Sequence, residues 1–299
     1  MIVTASANMP LRGELRMDEP LARYTSWRVG GAARQLYRPA DAADLAGFLA
    51  DLPADEPLLW LGLGSNVLIR DGGFPGTVIV TQGRLNDIEV RGTRVTAEAG
   101  AACAHVARLT ARLGLTGGSF LAGIPGTMGG ALAMNAGAFG GETWDKVMSV
   151  KTIDRHGQIR QRFPADYQIA YRHVQGPEGE WFLSCELQLD EGDSKAEQAA
   201  IRELLDKRAE TQPTGQPSGG STFRNPPGDY AARLIERAGL KGYRIGGAQV
   251  SDKHANFVIN TGDATAADIE QLIEHMQQTV RDAFGVELMR EVHILGVPA

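Results

Sequence analysis

The stretch from Gly117 to Gly141 constrains the fold of this chain more than any other feature. It reads GGSFLAGIPGTMGGALAMNAGAFGG and combines many glycines with hydroxyls and one amide, but no charged side chain. Such a stretch can bring its backbone N–H groups close to a ligand, for example a diphosphate or the edge of a flavin. A tightly packed crossover built of small residues has the same composition. Composition alone leaves both interpretations open.

The length and charge of the chain set the classes of function to consider. Its 299 residues, of which 43% are hydrophobic, suffice for two or three domains whose cores form by packing alone. The net charge is −6, and the Lys and Arg residues are scattered along the chain. This distribution argues against nonspecific binding to nucleic acid, which needs a concentrated basic surface. It leaves anionic small ligands possible, because a few cations and backbone amides can hold a diphosphate.

Targeting segments and cysteines give a second set of constraints. The longest apolar stretches, such as Leu58–Leu63, are far shorter than the roughly 20 residues of a membrane helix. Met1–Pro10 has no basic segment followed by an apolar core, so no secretion signal is predicted. Cys103 and Cys185 are the only cysteines and have no metal-type spacing. We therefore expect two reduced thiols, no metal site and a cytoplasmic enzyme.

Hydrophobic periodicity predicts alternating strands and helices in the first part of the chain. Asp41 is a plausible N-cap for a helix, and Leu58–Leu63 resembles a short buried strand. The apolar faces of two predicted helices are Leu45, Phe48, Leu49 and Leu52 in the first, and Ala102, Val106, Leu109 and Leu113 in the second. The second helix should stop at Gly114.

Two hairpins and one longer strand are predicted before residue 190. Ile88–Val90 and Val95–Ala97 flank a turn signal, and a second hairpin should turn at Asp154–Gly157. The alternating residues Trp181, Leu183, Cys185, Leu187 and Leu189 predict a strand with one buried face.

A polar stretch, Asp190–Ser194, marks the most plausible domain boundary. Beyond it, apolar residues at helical spacing predict three helices. Their apolar positions are Ile201, Leu204 and Leu205; Tyr230, Leu234, Ile235 and Ala238; and Ile269, Leu272, Ile273, Met276, Val280 and Phe284. The last helix follows Thr265–Asp268, a capping-box pattern, and Glu291–Leu295 predicts a closing strand. The fold class is α/β or α+β, in at least two domains.

Several common nucleotide and hydrolase motifs are absent. The chain has no G-x-x-x-x-G-K-[ST] phosphate loop. Gly62 and Gly64 lack the third glycine of a dinucleotide fingerprint, because position 67 is Val, and no amphipathic helix follows them. Gly219–Phe223 does not match the G-x-S-x-G nucleophile motif of hydrolases.

A proline-bounded segment, Pro217–Pro226, presents one serine after two glycines. Prolines at both ends restrict its backbone, while Gly219 and Gly220 permit an otherwise strained turn before Ser221. An exposed, well-presented hydroxyl is one interpretation. On spacing alone, an ordinary turn between domains is the better one.

Taken together, several ordered motifs resemble the UDP-N-acetylenolpyruvoylglucosamine reductase family. They are Tyr24–Gly31, Gly62–Asn66, Gly123–Gly130, Tyr171–Arg172, Pro217–Pro226 and Glu291–Val292. Their order and spacing agree over about residues 20–296, and the absence of an insertion between Arg172 and Trp181 resembles the shorter class of the family.

The resemblance implies an α+β fold in three parts. Residues 1–65 and 66–192 would be two subdomains of an FAD-binding fold of the vanillyl-alcohol-oxidase type. Residues 193–299 would form a C-terminal α/β substrate domain.

The implied activity is that of an FAD-containing oxidoreductase of cell-wall biogenesis. It is the NADPH-dependent reduction of the enolpyruvyl ether of UDP-N-acetylglucosamine enolpyruvate to UDP-N-acetylmuramate, a step of peptidoglycan synthesis on which cell shape and division depend. FAD would be bound non-covalently, and NADPH would be a co-substrate. The protein would be a cytoplasmic monomer that binds neither nucleic acid nor membrane.

Three catalytic positions carry over from the family: Arg172, Ser221 and Glu291. Addition of hydride to the enolpyruvyl methylene places negative charge on the adjacent carbon and its carboxylate. Arg172 and Glu291 have the charge and hydrogen-bonding groups to stabilise that species, and Ser221 would donate the proton that completes the reduction. A serine hydroxyl is a weak acid, so this role needs accumulated carbanion character or a proton relay.

The resemblance also implies residues that bind the cofactor and the substrate. The cofactor-binding set is Gly62, Gly64, Ser65, Asn66, Gly123, Ile124, Pro125, Gly126, Thr127, Gly129, Gly130, Asn135 and Gly137. The substrate-binding set is Tyr171, Arg224, Asn225, Lys253, His254 and Asn256. The chain departs from the family at Gly219, where relatives often carry Ala or Cys, at Arg224, where many have Lys, and at His293, where Arg is common.

Two other functions remain to be distinguished from this one. The same fold could serve an FAD oxidase of another sugar or alcohol. A degenerate scaffold could bind a UDP-sugar without catalysis.

Overall fold

The computed structural model describes residues 11–299, which form a mixture of helices and strands. The α-helices are α1 (Ala42–Ala50), α2 (Cys103–Arg112), α3 (Met128–Met134), α4 (Ser194–Thr211), α5 (Ala231–Arg237) and α6 (Ala266–Phe284). The strands up to residue 142 are β1 (Glu14–Pro20), β2 (Ala32–Arg38), β3 (Leu58–Leu61), β4 (Val67–Ile69), β5 (Phe74–Val80), β6 (Ile88–Arg91), β7 (Arg94–Glu98), β8 (Leu115–Thr116), β9 (Gly137–Ala138) and β10 (Gly141–Glu142). The later strands are β11 (Val147–Asp154), β12 (Ile159–Arg162), β13 (Gln168–Ala170), β14 (His173–Gln175), β15 (Glu180–Gln188), β16 (Asp190–Glu191), β17 (Arg244–Ile245), β18 (Ala248–Val250), β19 (Val258–Asn260) and β20 (His293–Leu295).

The chain divides into two compact units. The first unit contains the described residues up to Arg16, Gln35–Leu63 and Thr77–Lys207. The second contains Met17–Arg34, Gly64–Gly76 and Arg208–Ala299. The three-part division expected from the sequence stays a prediction.

A five-stranded antiparallel sheet organises the first unit, in the order β12-β11-β15-β7-β6. The predicted strand around residue 185 is its centre, and Leu183, Cys185 and Leu187 are buried as expected. Both predicted hairpins are confirmed: β6–β7 turns at Gly92, which has a φ of 59°, and β11–β12 closes with the N–H of Gly157 donating to the Asp154 carbonyl. This sheet supplies one wall of the core beneath the glycine-rich stretch.

The first helix and the strand after it match the sequence prediction. The Asp41 carboxylate accepts the N–H of Asp44, which caps α1, and Leu45, Phe48 and Leu49 are buried. β3 ends at Leu61, two residues earlier than predicted, and pairs in parallel with β5. The loop that follows Leu61 is therefore placed at the carboxyl end of a parallel strand.

The predicted face of α2 is only partly correct, although the helix and its end at Gly114 are as predicted. Leu113 is 55% exposed and Ala102 is exposed. Val106 is buried as predicted, and the other buried positions are Cys103, Ala107, Thr110 and Ala111. Small residues face the core because α2 lies close to the 3₁₀ turn Ser119–Gly123 of the glycine-rich stretch.

The second unit is built on a three-stranded antiparallel sheet, β17-β18-β19, and the long helix α6. Thr265 and Asp268 form the predicted capping box, and the left-handed Gly285 ends α6. All the predicted apolar positions of this helix except Phe284 are fully buried. The closing strand β20 begins at His293 and pairs in parallel with β4.

The remaining sequence predictions concern the boundary, the thiols and the N-terminus. Asp190–Glu191 in the polar stretch forms β16, which pairs with β8. Cys103 and Cys185 are free and buried, and burial raises the pKa of both thiols. Within residues 11–299, no helix is long and apolar enough to cross a membrane. The prediction about Met1–Pro10 lies outside the described residues.

Candidate active site

The loop after β3 contains two glycines that are required for different reasons. A Cβ on Gly62 would lie 2.1 Å from Thr127 Oγ1 in the first unit. Gly64, in the second unit, has a φ of 63°, and a Cβ there would lie 2.0 Å from the Tyr24 carbonyl oxygen. Gly62 thus allows close packing of a side chain, and Gly64 allows a left-handed turn beside backbone. Ser65 and Asn66 follow and are half-buried.

Thr127 itself carries an unusual buried hydroxyl. The residue is 3% exposed, and its Oγ1 has no hydrogen-bond partner among residues 11–299. A buried hydroxyl is normally paired, because leaving it unpaired costs about 1–3 kcal/mol. It is therefore a group that a bound polar ligand could satisfy.

The start of α3 is fixed to the backbone of a neighbouring segment. The N–H groups of Met128 and Gly129 donate to the carbonyls of Ala101 and Ala99, both at 2.8 Å. The carbonyl of Gly126 accepts the N–H of Cys103 at 3.0 Å. This part of the glycine-rich stretch is a rigid element of the first unit.

Most glycines of this stretch are packed against protein atoms. A Cβ on Gly123 would lie 2.7 Å from the Phe139 ring, and one on Gly129 would lie 3.0 Å from the Ala99 side chain. Gly130 differs, because it is exposed and has nothing within 4 Å of a Cβ position. Of the other predicted cofactor positions here, Pro125 is exposed, Gly126 is half-buried and Ile124 is buried. The stretch is therefore largely a packed crossover, and its predicted contacts to the cofactor stay a prediction.

Asn135 ends α3 in a left-handed conformation with φ of 46° and is 2% exposed. Its amide nitrogen donates to Glu142 Oε2 at 2.6 Å and to the Ala170 carbonyl at 3.3 Å. Its amide oxygen accepts the N–H of Trp144 at 3.1 Å. The side chain thus joins three segments of the first unit. Its predicted contact to the cofactor stays a prediction, and Glu142 is a partner that the sequence did not reveal.

Arg172 lies at the tip of the β13–β14 hairpin, next to Tyr171. Its φ of 54° is left-handed, a conformation that costs a residue other than glycine about 1–2 kcal/mol. Its Nη2 donates to the Gly137 carbonyl at 2.8 Å, and its guanidinium lies 5.6 Å from the centre of the half-exposed Tyr171 ring. Such strain at an exposed turn is typical of functional positions. The arginine is therefore held beside the end of the glycine-rich stretch.

In the second unit, the segment around Ser221 lies between two others. Pro217 O accepts the N–H of Asn260 at 2.9 Å on one side. Thr222 O accepts the N–H of Glu291 at 2.8 Å on the other, so Ser221 and Glu291 lie on adjacent segments. Ser221 is half-buried. Of the three predicted catalytic residues, these two are brought together within one unit, and Arg172 belongs to the first unit.

The two glycines before Ser221 have separate roles. Gly219 is buried, and a Cβ there would lie 2.4 Å from the ring of Trp27, which is fully buried. Gly220 has a φ of 74° and open space around it. Trp27, which the sequence motif contained but did not assign a role, fixes the path of the segment by its volume.

Arg224 and Asn225 follow Ser221 and differ in the burial and hydrogen bonding of their side chains. Arg224 Nε is buried without a hydrogen-bond partner among the described residues. Desolvation and the positive charge of Arg224 lower the pKa of His293, one of the positions that departs from the family. Asn225 is exposed, and its amide oxygen accepts the N–H of Ala231 at 3.1 Å, at the start of α5.

The three predicted substrate residues after residue 250 have unequal exposure. Lys253 is exposed, and its ammonium group donates to the Ala209 carbonyl. His254 is partly buried against the edge of Phe257, and desolvation lowers the pKa of its imidazole. Asn256 is 3% exposed and bonds to the backbone of Phe223.

Asn66 connects the loop after β3 to the segment that carries Glu291. Its amide nitrogen donates to the Glu291 carbonyl at 3.0 Å, and its own carbonyl accepts the N–H of His293 at 3.0 Å. The predicted cofactor residue thus also fixes the backbone on both sides of Val292. These long-range bonds join positions more than 200 residues apart, so periodicity could not have revealed them.

Comparisons with known proteins identify both parts of the chain. A family model described as an FAD-binding domain matches residues 33–161. A second, described as the C-terminal domain of UDP-N-acetylenolpyruvoylglucosamine reductase, matches residues 212–295. The predicted α+β fold class, with an FAD-binding fold and a separate C-terminal domain, is confirmed.

Full-length relatives agree with these matches. UDP-N-acetylenolpyruvoylglucosamine reductase of Alkalilimnicola ehrlichii is 62% identical over 95% of both chains. That of Methylococcus capsulatus is 59% identical over 96% of this chain and 95% of its own. The crystal structure of the reductase from Thermus caldophilus has a TM-score of 0.81 at 32% identity and covers 95% of this chain and 98% of its own. The chain therefore belongs to the UDP-N-acetylenolpyruvoylglucosamine reductase family, whose members are FAD-containing oxidoreductases.

Proposed function

We propose that this protein reduces the enolpyruvyl ether of UDP-N-acetylglucosamine enolpyruvate to UDP-N-acetylmuramate in peptidoglycan synthesis, with NADPH as the reductant. The observation that carries the proposal is 62% identity to a reductase of this name over 95% of both chains. The match of the C-terminal family model to residues 212–295 adds to it, because that range contains Ser221 and Glu291.

The first unit has groups that suit FAD. The buried Thr127 hydroxyl lacks a partner among residues 11–299, and Gly130 offers open backbone near it in sequence. When bound, FAD supplies the hydride for the enolpyruvyl double bond. In the proposal, Gly62, Thr127 and Gly130 contribute a hydroxyl and closely approaching backbone, while Asn135 fixes the end of the stretch.

Ser221 holds the proton that the substrate carbon accepts. Its half-buried position after the open, left-handed Gly220 supports presentation of the hydroxyl, and the paired backbone of Thr222 limits its movement. A serine hydroxyl becomes an effective donor only to a carbon that has gained carbanion character. The proton leaves Oγ after negative charge has built up on that carbon.

Arg172 stabilises the negative charge that builds up on the substrate, and Glu291 does so as a protonated carboxyl group that donates a hydrogen bond. Arg172 offers several N–H donors to a carboxylate or enolate oxygen, and one is already fixed on the Gly137 carbonyl. Such orientation before reaction supports a role in binding developing charge. The carboxyl group of Glu291 follows a backbone N–H that is bonded to Thr222, so its position is tied to that of the Ser221 segment.

Arg224 and Lys253 are the cations that would bind the anionic UDP group. The buried, unpaired Nε of Arg224 among the described residues supports this role, because guanidinium groups bind phosphate oxygens in a bidentate manner. Tyr171, Asn225 and His254 are the other residues that we propose bind the substrate. The amide oxygen of Asn225 is already used at the start of α5, which leaves its nitrogen for the substrate.

We further propose a cytoplasmic monomer with separate cofactor and substrate domains. The two buried free thiols support a reducing compartment. The matches of one family model to residues 33–161 and of another to residues 212–295 support the division into an FAD-binding part, 1–65 and 66–192, and a substrate domain, 193–299.

The absorption spectrum of the purified protein tests this function. We expect a flavin spectrum that NADPH bleaches without oxygen and that UDP-N-acetylglucosamine enolpyruvate then restores. Restoration by oxygen but not by the substrate would replace the proposal with an oxidase of the same fold. Absence of bound flavin after supplementation with FAD would indicate a protein that binds UDP-sugars without catalysis.

A further inference from the structure

The backbone around Ser221 is restrained on both sides, but the residues directly before and after it differ. Gly220, directly before it, is left-handed and has nothing within 4 Å of a Cβ position, and the restraints on the N-terminal side lie further away, at Pro217 and Gly219. On the other side, the next two residues are Thr222 and Phe223, which are fully buried or nearly so. The groups that bond to these two residues are therefore the restraints nearest to the Ser221 side chain.

Asn256 supplies most of those bonds. The four backbone hydrogen-bonding groups of Thr222 and Phe223 are all paired. The Thr222 carbonyl accepts the N–H of Glu291, and Asn256 pairs the other three groups. Its carbonyl accepts the N–H of Thr222 at 2.8 Å, its Oδ1 accepts the N–H of Phe223 at 3.0 Å, and its Nδ2 donates to the Phe223 carbonyl at 2.8 Å.

The chemistry of the amide explains why asparagine stands here. One carboxamide presents an acceptor and a donor side by side, so it pairs with the N–H and C=O of a single residue as a neighbouring strand would. Aspartate keeps the acceptor but loses the donor, and alanine loses both. Because Asn256 is 3% exposed, water cannot easily replace the lost bonds.

We propose that Asn256 is a positioning residue for Ser221, acting through the backbone of Thr222 and Phe223, and not a substrate ligand. This inference rests on the proposed function, in which Ser221 is the proton donor. A substitution of Asn256 should slow only the half-reaction in which the substrate reoxidises the flavin, because the Ser221 proton is transferred only in that half-reaction.

Holoenzyme variants compared in stopped-flow measurements of the two half-reactions test this role. For Asn256→Ala and Asn256→Asp we expect flavin reduction by NADPH within about twofold of wild type. Reoxidation by the substrate should slow by roughly 10–100-fold, the scale of a misplacement of about 1 Å. The dissociation constant of the product, UDP-N-acetylmuramate, titrated onto the oxidised enzyme, should stay within about twofold.

Asp71→Ala is the matched control for general loss of stability in the second unit. The two carboxylate oxygens of Asp71 accept the N–H groups of Ala266 and Ala267, both at 2.9 Å, at the start of α6. Its removal should lower the melting temperature without changing either half-reaction. If Asn256→Ala does not yield folded protein, Asn256→Asp, which retains the acceptor, carries the test.

The double variant separates positioning from other effects. In a Ser221→Ala background, adding Asn256→Ala should cause less than about a twofold further loss in reoxidation, because the group being positioned is gone. A full additional loss would overturn the proposal, as would weaker product binding with unchanged reoxidation at saturating substrate. Equal slowing of both half-reactions would also overturn it. If Ser221→Ala itself reoxidises at the wild-type rate, Ser221 is not the proton donor. That result contradicts the proposed function, and it differs from the results that would contradict the role of Asn256.

Discussion

Two glycine-rich segments of this chain look alike in sequence and differ in structure. In Gly117–Gly141 of the first unit, the backbone is held by neighbouring main chain, and glycines such as Gly123 and Gly129 allow protein atoms to approach. In Pro217–Pro226 of the second unit, Gly219 makes room for Trp27, while Gly220 supplies a left-handed turn in open space. The difference teaches that glycine content alone does not indicate a ligand. A glycine with open surroundings can face a ligand on the side where a Cβ would lie, whereas a packed glycine faces protein atoms on that side.

The largest expected effect on stability is at Gly219. A Cβ there would lie 2.4 Å from the Trp27 ring, which is fully buried and cannot easily move. We expect Gly219→Ala to lower the free energy of unfolding by about 3 kcal/mol, the upper end for overpacking, as measured by urea denaturation.

Gly220 is the matched control, since only its conformation matters. Gly220→Ala should cost about 1–2 kcal/mol, and Gly220→Asn less, because Asn tolerates the left-handed region. An equal loss for Ala at positions 219 and 220 would contradict the distinction between packing and turn.

The next largest expected loss of stability is at Gly62, which packs against Thr127 in the first unit. A Cβ on Gly62 would lie 2.1 Å from Thr127 Oγ1, but a threonine can rotate, so we expect Gly62→Ala to cost about 2 kcal/mol. Adding Thr127→Ala should recover part of the loss in a double-mutant cycle of unfolding free energies. Strict additivity would show that the two positions do not interact.

Gly130 should behave in the opposite way from the packed glycines. It lies in α3 with nothing within 4 Å of a Cβ position. Gly130→Ala should therefore stabilise the protein without cofactor by about 0.5–1 kcal/mol. It should also weaken FAD binding by about tenfold, or about 1.4 kcal/mol, measured by titration of the protein without cofactor. Unchanged affinity would remove Gly130 from the cofactor site.

The smallest expected effect is the loss of stability in acid, and it should be similar in the two units. Arg162 in the first unit holds the pKa of Glu180 below its usual value of 4.5, and Arg70 in the second does the same for Glu270. Both carboxylates therefore add stability above about pH 4.5, and this stability is lost as the pH falls through their lowered pKa values. Glu180→Gln and Glu270→Gln should each cost up to about 1 kcal/mol at pH 7. The difference from wild type should shrink between pH 5 and pH 3 in urea denaturation series.

Local sequence patterns predicted the elements that are defined by their own apolar face and capping residues. α6 has a full apolar face and a capping box, so it was predicted with both its start and its buried residues. The buried face of α2 was predicted only at Val106, because small residues, and not Leu113, pack against the glycine-rich stretch. The β13–β14 hairpin was not predicted, because β13 is exposed throughout and carries no apolar pattern.

Long-range bonds within the site could not be predicted from any local pattern. The family resemblance indicated Asn66, Asn135 and Asn256 as ligand-binding positions. In the structure, each of these amides bonds to the backbone of a segment near a predicted catalytic residue: Glu291, Arg172 and Ser221, respectively. Asn66 and Glu291 are 225 residues apart in the chain, so only the fold brings them together.

We propose that Ser221 donates a proton only in the half-reaction in which the substrate reoxidises the flavin. The most direct measurement compares wild type and Ser221→Ala by stopped-flow absorbance of the bound flavin, first with NADPH and then with UDP-N-acetylglucosamine enolpyruvate. We expect reduction at nearly the wild-type rate and reoxidation slowed by roughly 10²–10⁴, the range for loss of a general acid. Equal slowing of both steps, or unchanged reoxidation, would contradict this proposal.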